Sequence, residues 1–112
     1  MKKLIAFLFF IAIAFQFCTS SKKAQKAISK INYLDNVQPV IVGNCSPCHI
    51  PTKGNKEPLN TYQAAKTHID DIISRIQKNP DEKGFMPFKH PKLPDSTIQV
   101  FVRWKNDGLV EK

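Results

Sequence analysis

Three stretches of the chain carry apolar residues at the three- and four-residue steps of a helix, and none alternates as a half-buried strand would. In the first, Leu34, Val37, Ile41, Cys45 and Cys48 recur at that spacing, which puts both cysteines on the continuation of one apolar helix face. Pro39 falls inside this stretch. Proline is tolerated near a helix start, so the first full turn is predicted to begin around Asn36. The second stretch, "NTYQAAKTHIDDIISRIQKNP", lines up Tyr62, Ala65, Ile69, Ile72, Ile73 and Ile76, with Asn60 or Thr61 as cap and Pro80 beyond its end. The third, "STIQVFVRWKNDG", sets Ser96 and Gln99 at capping-box spacing. Ile98, Phe101, Val102 and Trp104 supply its apolar bulk, and Gly108 is a natural stop. Proline-rich loops, "HIPTKGNKEP" and "NPDEKGFMPFKHPKLP", lie between. The pattern predicts an all-α fold of three or more helices joined by stiff loops. Loops this long in a small domain need something to pack around.

The N-terminus is patterned differently. In "MKKLIAFLFFIAIAFQFC" two lysines precede an unbroken apolar run of 12 residues, Leu4 to Phe15, against roughly 20 for a membrane-spanning helix. Residues 1–17 therefore read as an export signal. Cys18, followed by "TSS", resembles the cysteine of a bacterial lipoprotein signal, which becomes the lipidated first residue of the mature chain. Gln16 and Phe17 stand where that pattern prefers a small residue before the cysteine, and ordinary cleavage after Ser20 is the alternative. Residues 18–32 are polar and basic and carry four lysines. They read as a lipid-anchored tether reaching on the order of 20 Å, and residues 33–112 as the folded domain.

A domain of about 80 residues is marginal on buried area alone and usually needs a metal, a disulfide or a cofactor. With Cys18 lipidated or removed, Cys45 and Cys48 remain as one close pair, which would close only a tiny loop. They belong to the pentapeptide "CSPCH", Cys45 to His49. A structural zinc site wants four ligands, usually from two separated pairs. Here there is one pair, and His49 directly follows Cys48. A thioredoxin-like redox pair needs a low-pKa thiolate at a helix N-terminus, whereas this pair closes a helical pattern. Haem attachment explains the whole spelling. Two thiols with two residues between them add to the two vinyl groups, and the adjacent histidine is delivered to the iron.

The likeness extends beyond the pentapeptide. "VQPVIVGNCSPCH", then "LNTYQAAKTHIDDIISRI", then "FMPF", then "LPDSTIQVFVRWKNDG" follow the order of the small bacterial mono-haem cytochrome c domain, and the chain resembles that family from about Tyr33 to Leu109. The resemblance implies a small cytochrome c-like fold around one covalently bound haem c, with first and last helices packed across each other. It implies Cys45 and Cys48 as the thioether anchors, His49 as the proximal axial ligand and Met86 as the other. Met86 is also the only methionine left once Met1 goes with the signal. His90, four residues on, is its rival for the sixth position, and His68 flanks the isoleucine stripe. The family commonly has Met-Pro-Pro where this chain has Met86-Pro87-Phe88. Phe85 and Phe88 then either wall the haem edge or belong to the core. Tyr62 and Trp104 are read as core residues, with bonding to a haem propionate as their alternative role.

His/Met-ligated iron has no open position for substrate, so the expected function is electron transfer and not enzymatic turnover. Loss of Lys2 and Lys3 with the leader leaves 15 of the 17 basic side chains against nine acidic ones, net +6. That charge suits redox partner proteins with an acidic docking face. Nucleic acid is excluded as a partner, because no basic stripe is interleaved with aromatics and export removes the chain from it. The expected location is the periplasmic side of a bacterial membrane, held by the N-terminal lipid. A haem-based sensor or ligand-binding module, with a weak or absent sixth ligand, is the alternative.

Overall fold

The structure is a computed structural model that describes residues 29–112. The export signal and the lipidation assigned to Cys18 lie outside the described residues. Within them every regular element is helical and there is no strand; no helix is long and apolar enough to cross a membrane.

The chain enters through Asn32, whose side chain accepts a hydrogen bond from the Asp35 amide at 2.8 Å. The Asn32 amide in turn donates to Asn36 Oδ1 at 2.9 Å, so two backbone amides at the helix entry are satisfied by nearby asparagine side chains. A single π-helical turn, Tyr33–Val37, runs directly into helix α1, Gln38–Asn44. The helix thus starts three residues before the position that Pro39 suggested. In the wider turn the Gln38 amide reaches back to the Tyr33 carbonyl. That geometry relieves the contact a proline ring makes with the preceding turn and accommodates its missing N–H. The extra residue also rotates the buried stripe. Tyr33, Val37 and Ile41 are almost completely buried, whereas Leu34, which the spacing placed on the stripe, is 40% exposed.

The second apolar stretch forms two helices, α2 (Tyr62–Thr67) and α3 (Ile69–Ile76), with a bend at His68. The hydrogen-bond ladder spans the bend: His68 N–H donates to Ala64 O, and Ile72 N–H to His68 O. One face is therefore kept through both, with Ala65, Ile69, Ile72 and Ile76 buried and Tyr62 and Ile73 packed at the margin. Thr61 is the cap, accepting from the Ala64 amide at 3.2 Å.

Helix α4, Asp95–Asn106, begins after Pro94, and no side chain caps it. The capping box expected from Ser96 and Gln99 does not form. The helix starts two residues earlier than that cap implies, with Pro94 at the N-cap position, so Ser96 lies inside its first turn, beside Asp95, whose charge favours a helix N-terminus. The other end is as expected. Gly108 takes a φ of +94°, its amide bonds Lys105 O, and the Leu109 amide bonds Trp104 O, a paired closure that needs a left-handed residue at Gly108.

Tyr33, Tyr62 and Trp104 join the first, second and last elements in one aromatic cluster. Their ring centroids are 5.7 Å apart for Tyr33–Tyr62, 5.8 Å for Tyr33–Trp104 and 6.2 Å for Tyr62–Trp104. The C-terminal backbone completes the junction. Val110 O accepts from the Tyr33 amide and from Trp104 Nε1, and Leu109 O accepts from Tyr62 Oη. The polar tips of Tyr62 and Trp104 thus both bond backbone carbonyls of this junction, with Trp104 fully buried and Tyr62 packed at the margin of the core.

Candidate cofactor site

Helix α1 stops at Asn44, and Cys45 is its C-cap, with its N–H bonded to Ile41 O at 2.8 Å. The apolar stripe predicted the helix to run through both cysteines. It ends sooner because Pro47 has no N–H to continue the ladder and disfavours helical backbone at Ser46. The two cysteines consequently differ. Cys45 packs against the hydrophobic core, while Cys48 is exposed on the turn that follows. Both are free thiols. Burial pushes the Cys45 thiol up to about 11 from an ordinary 9.0, the reverse of what a nucleophilic redox cysteine requires.

One turn carries Cys45, Cys48 and His49 together, closed by the His49 amide donating to Cys45 O at 3.0 Å. The chain then doubles back over it. Lys56 N–H donates to Cys48 O and Leu59 N–H to His49 O, both at 3.0 Å. Gly54 lies against the turn so closely that a Cβ there would overlap the carbonyl oxygens of Pro47 and Cys48. Only glycine lets the two backbones meet in this way.

The returning loop decides the state of His49. Its Nδ1 lies 2.7 Å from the Glu57 carbonyl oxygen. A carbonyl only accepts, so Nδ1 carries the proton and the neutral ring keeps its lone pair on Nε2. A backbone acceptor on one nitrogen is the usual means of orienting a histidine that ligates metal through the other. Nothing in the sequence marked Glu57, because it acts through its backbone.

Met86 lies on the loop between α3 and α4, half-buried against the same core that Cys45 touches. Its amide donates to Arg75 O at 3.3 Å, and its neighbours Phe85 and Pro87 are buried. Phe88 is 66% exposed, with Lys89 Nζ 5.4 Å from its ring centre. Of the two phenylalanines, therefore, Phe85 is the core residue. His90 is exposed. His68, at the bend between α2 and α3, has Nε2 3.5 Å from the Glu57 carboxylate. Among the described residues no group of three or more His, Cys, Asp or Glu side chains is arranged to hold a metal ion. No family model, no curated protein and no solved structure matches the chain.

Proposed function

We propose that this chain is a mono-haem c-type cytochrome that transfers electrons, and that Cys45, Cys48, His49 and Met86 hold its cofactor. The single observation that carries the reading is the hydrogen bond from His49 Nδ1 to Glu57 O. It gives the histidine beside two free thiols the tautomer and orientation of a metal ligand. The donor set suits haem c: two thiols for two vinyl groups, one imidazole nitrogen, and one thioether bordering the same core as Cys45.

Cys45 and Cys48 would each add S–H across a vinyl double bond, sulfur to one carbon and hydrogen to the other, so that no oxidant is consumed. His49 would offer Nε2 to the iron while Glu57 O holds the ring, and Met86 would offer its sulfur from the other loop. Bound there, haem c supplies one-electron chemistry, and a methionine ligand raises its potential. The protein's part is to keep both ligands in place through the redox change and to exclude water from the core side, where Phe85 and Leu93 are buried. The net +6 of the chain without its leader favours an acidic face on the redox partner. Export, a lipid on Cys18 and a position on the periplasmic side of the membrane belong to the same reading.

The test is to produce the full chain with a c-type haem maturation system and record its ferric spectrum. Haem that survives acid extraction, with the weak long-wavelength band of sulfur-to-iron charge transfer, is the expected result. Covalent haem without that band, together with carbon monoxide binding to the ferrous protein, would replace electron transfer by the ligand-binding reading. No covalent haem would overturn the proposal.

A further inference from the structure

The loop that carries Met86 is gripped from the last turn of α3, and Arg75 takes part twice. Its backbone carbonyl accepts the Met86 amide at 3.3 Å, and its Nη1 reaches the Gly84 carbonyl at 3.5 Å, two residues earlier in the same loop. The guanidinium is held for this task by Asp71, one turn back on the helix, through a 2.7 Å bond from Nε. Lys78 adds a second cation, with Nζ 2.8 Å from the Lys83 carbonyl. Gly84 has a φ of +85°, and a side chain there would begin 3.3 Å from Arg75 Nη1 and 3.4 Å from Lys78 Nζ. The turn is shaped to present its carbonyls to the two cations.

We infer that Arg75, oriented by Asp71, is the positioning residue that holds Met86 at the sixth coordination position. The inference rests on the haem reading above and extends it to a residue outside the proposed ligand set. The physical reason lies in how a weak ligand is kept. An iron–thioether bond competes with water, imidazole and other small ligands, so occupancy depends on how little freedom the Met86 backbone has to leave. Phe85 in the core anchors one side of Met86. The Arg75 carbonyl ties down the Met86 amide, and its guanidinium adds a longer, charge-assisted contact to the carbonyl two residues earlier, the part of the grip that a side-chain substitution removes. Because the guanidinium is partly exposed, its effect is modest and graded, and it is read better by ligand competition than by folding.

The experiment titrates imidazole into the ferric, haem-loaded full chain and into its Arg75→Ala, Arg75→Lys and Asp71→Asn variants, well below their melting temperatures. Arg75→Ala is expected to raise the apparent imidazole affinity about fivefold and to weaken the sulfur-to-iron band. Arg75→Lys keeps a cation near Gly84 O but loses the fork that also meets Asp71, and should recover part of the wild-type value. Asp71→Asn should fall between Arg75→Lys and Arg75→Ala. A purely structural role would lower the melting temperature and leave imidazole affinity within about twofold, and that result overturns the inference. If Arg75→Ala does not fold, unchanged affinity in both remaining variants overturns it equally. A wild-type protein that binds haem covalently but lacks the sulfur-to-iron band rejects Met86 as ligand and the clamp with it. Failure of the clamp alone leaves that band intact in all four proteins.

Discussion

The aromatic junction and the arm from Cys45 to Leu59 are held by different forces. In the junction, Tyr33, Tyr62 and Trp104 come from three separate helical elements and bury their rings against one another. Their partners are distant in sequence: Tyr62 Oη bonds a carbonyl 47 residues away. The Tyr33 hydroxyl is buried there, and that burial raises its pKa. The arm has almost no core of its own. Between Ile50 and Leu59 only Leu59 is buried, and the segment is shaped by backbone bonds over short sequence distances and by one glycine contact. The comparison teaches that the packing of the core and the placement of His49 are separable here. Large, non-local burial holds the domain together, while local hydrogen bonding aims His49, and such local structure opens at lower cost than the core.

The largest effect should come from the junction. Trp104→Ala removes a side chain with no solvent exposure and should cost about 3–5 kcal/mol in denaturant unfolding of the domain. A loss below about 1 kcal/mol would end the claim that the junction holds the fold.

Cys45 lies on the border between the two regions, and pH tells which one it belongs to. Its folded pKa is about 11 against 9.0 for an ordinary cysteine, because burial disfavours the thiolate. Below pH 9 both folded and unfolded chains keep the proton and the stabilisation is complete. Between pH 9 and 11 the unfolded chain releases it first, so stability falls as pH rises, by about 2 kcal/mol in all. Unfolding followed from pH 8 to 11 should show this slope in the parent chain and be much shallower in Cys45→Ala, where the buried Tyr33 hydroxyl, whose pKa is also raised, still contributes near the alkaline end. An identical slope in both would place Cys45 with the exposed arm.

The most local effect is expected from Gly54→Ala. Overpacking against the Pro47 and Cys48 carbonyls should cost about 1–3 kcal/mol, concentrated in the arm. Amide exchange at Lys56 and Leu59 should accelerate while the amides of α4 stay protected. Equal acceleration in α4 would show that the arm and the junction unfold as one unit.

Much of the fold was legible because its signals are local. The isoleucine stripe of α2 and α3 needs only helical spacing, Thr61 needs only a hydroxyl at the right place, and Gly108 closes α4 because a positive φ favours glycine. The errors arose where neighbours changed the register. Leu34 lost its place to Tyr33 through one π-helical turn, Ser96 was overtaken by an earlier helix start, and Cys48 left the apolar face when Pro47 ended the ladder. Trp104 and Tyr62 offered two readings in sequence, and the carbonyls that receive their donors decided for the core.

By itself, then, the sequence determined which side chains are available to the candidate site: two thiols, an imidazole and a thioether, in helices whose limits are set mostly by caps, prolines and glycines. The tertiary structure alone decided how those groups are presented. Glu57 and Arg75 act on His49 and Met86 wholly or partly through backbone carbonyls. Every residue carries that same carbonyl, so no residue type announces which one will be used. Only the path of the chain, bent back at Gly54 and clamped at Gly84, brings the right oxygen to each partner.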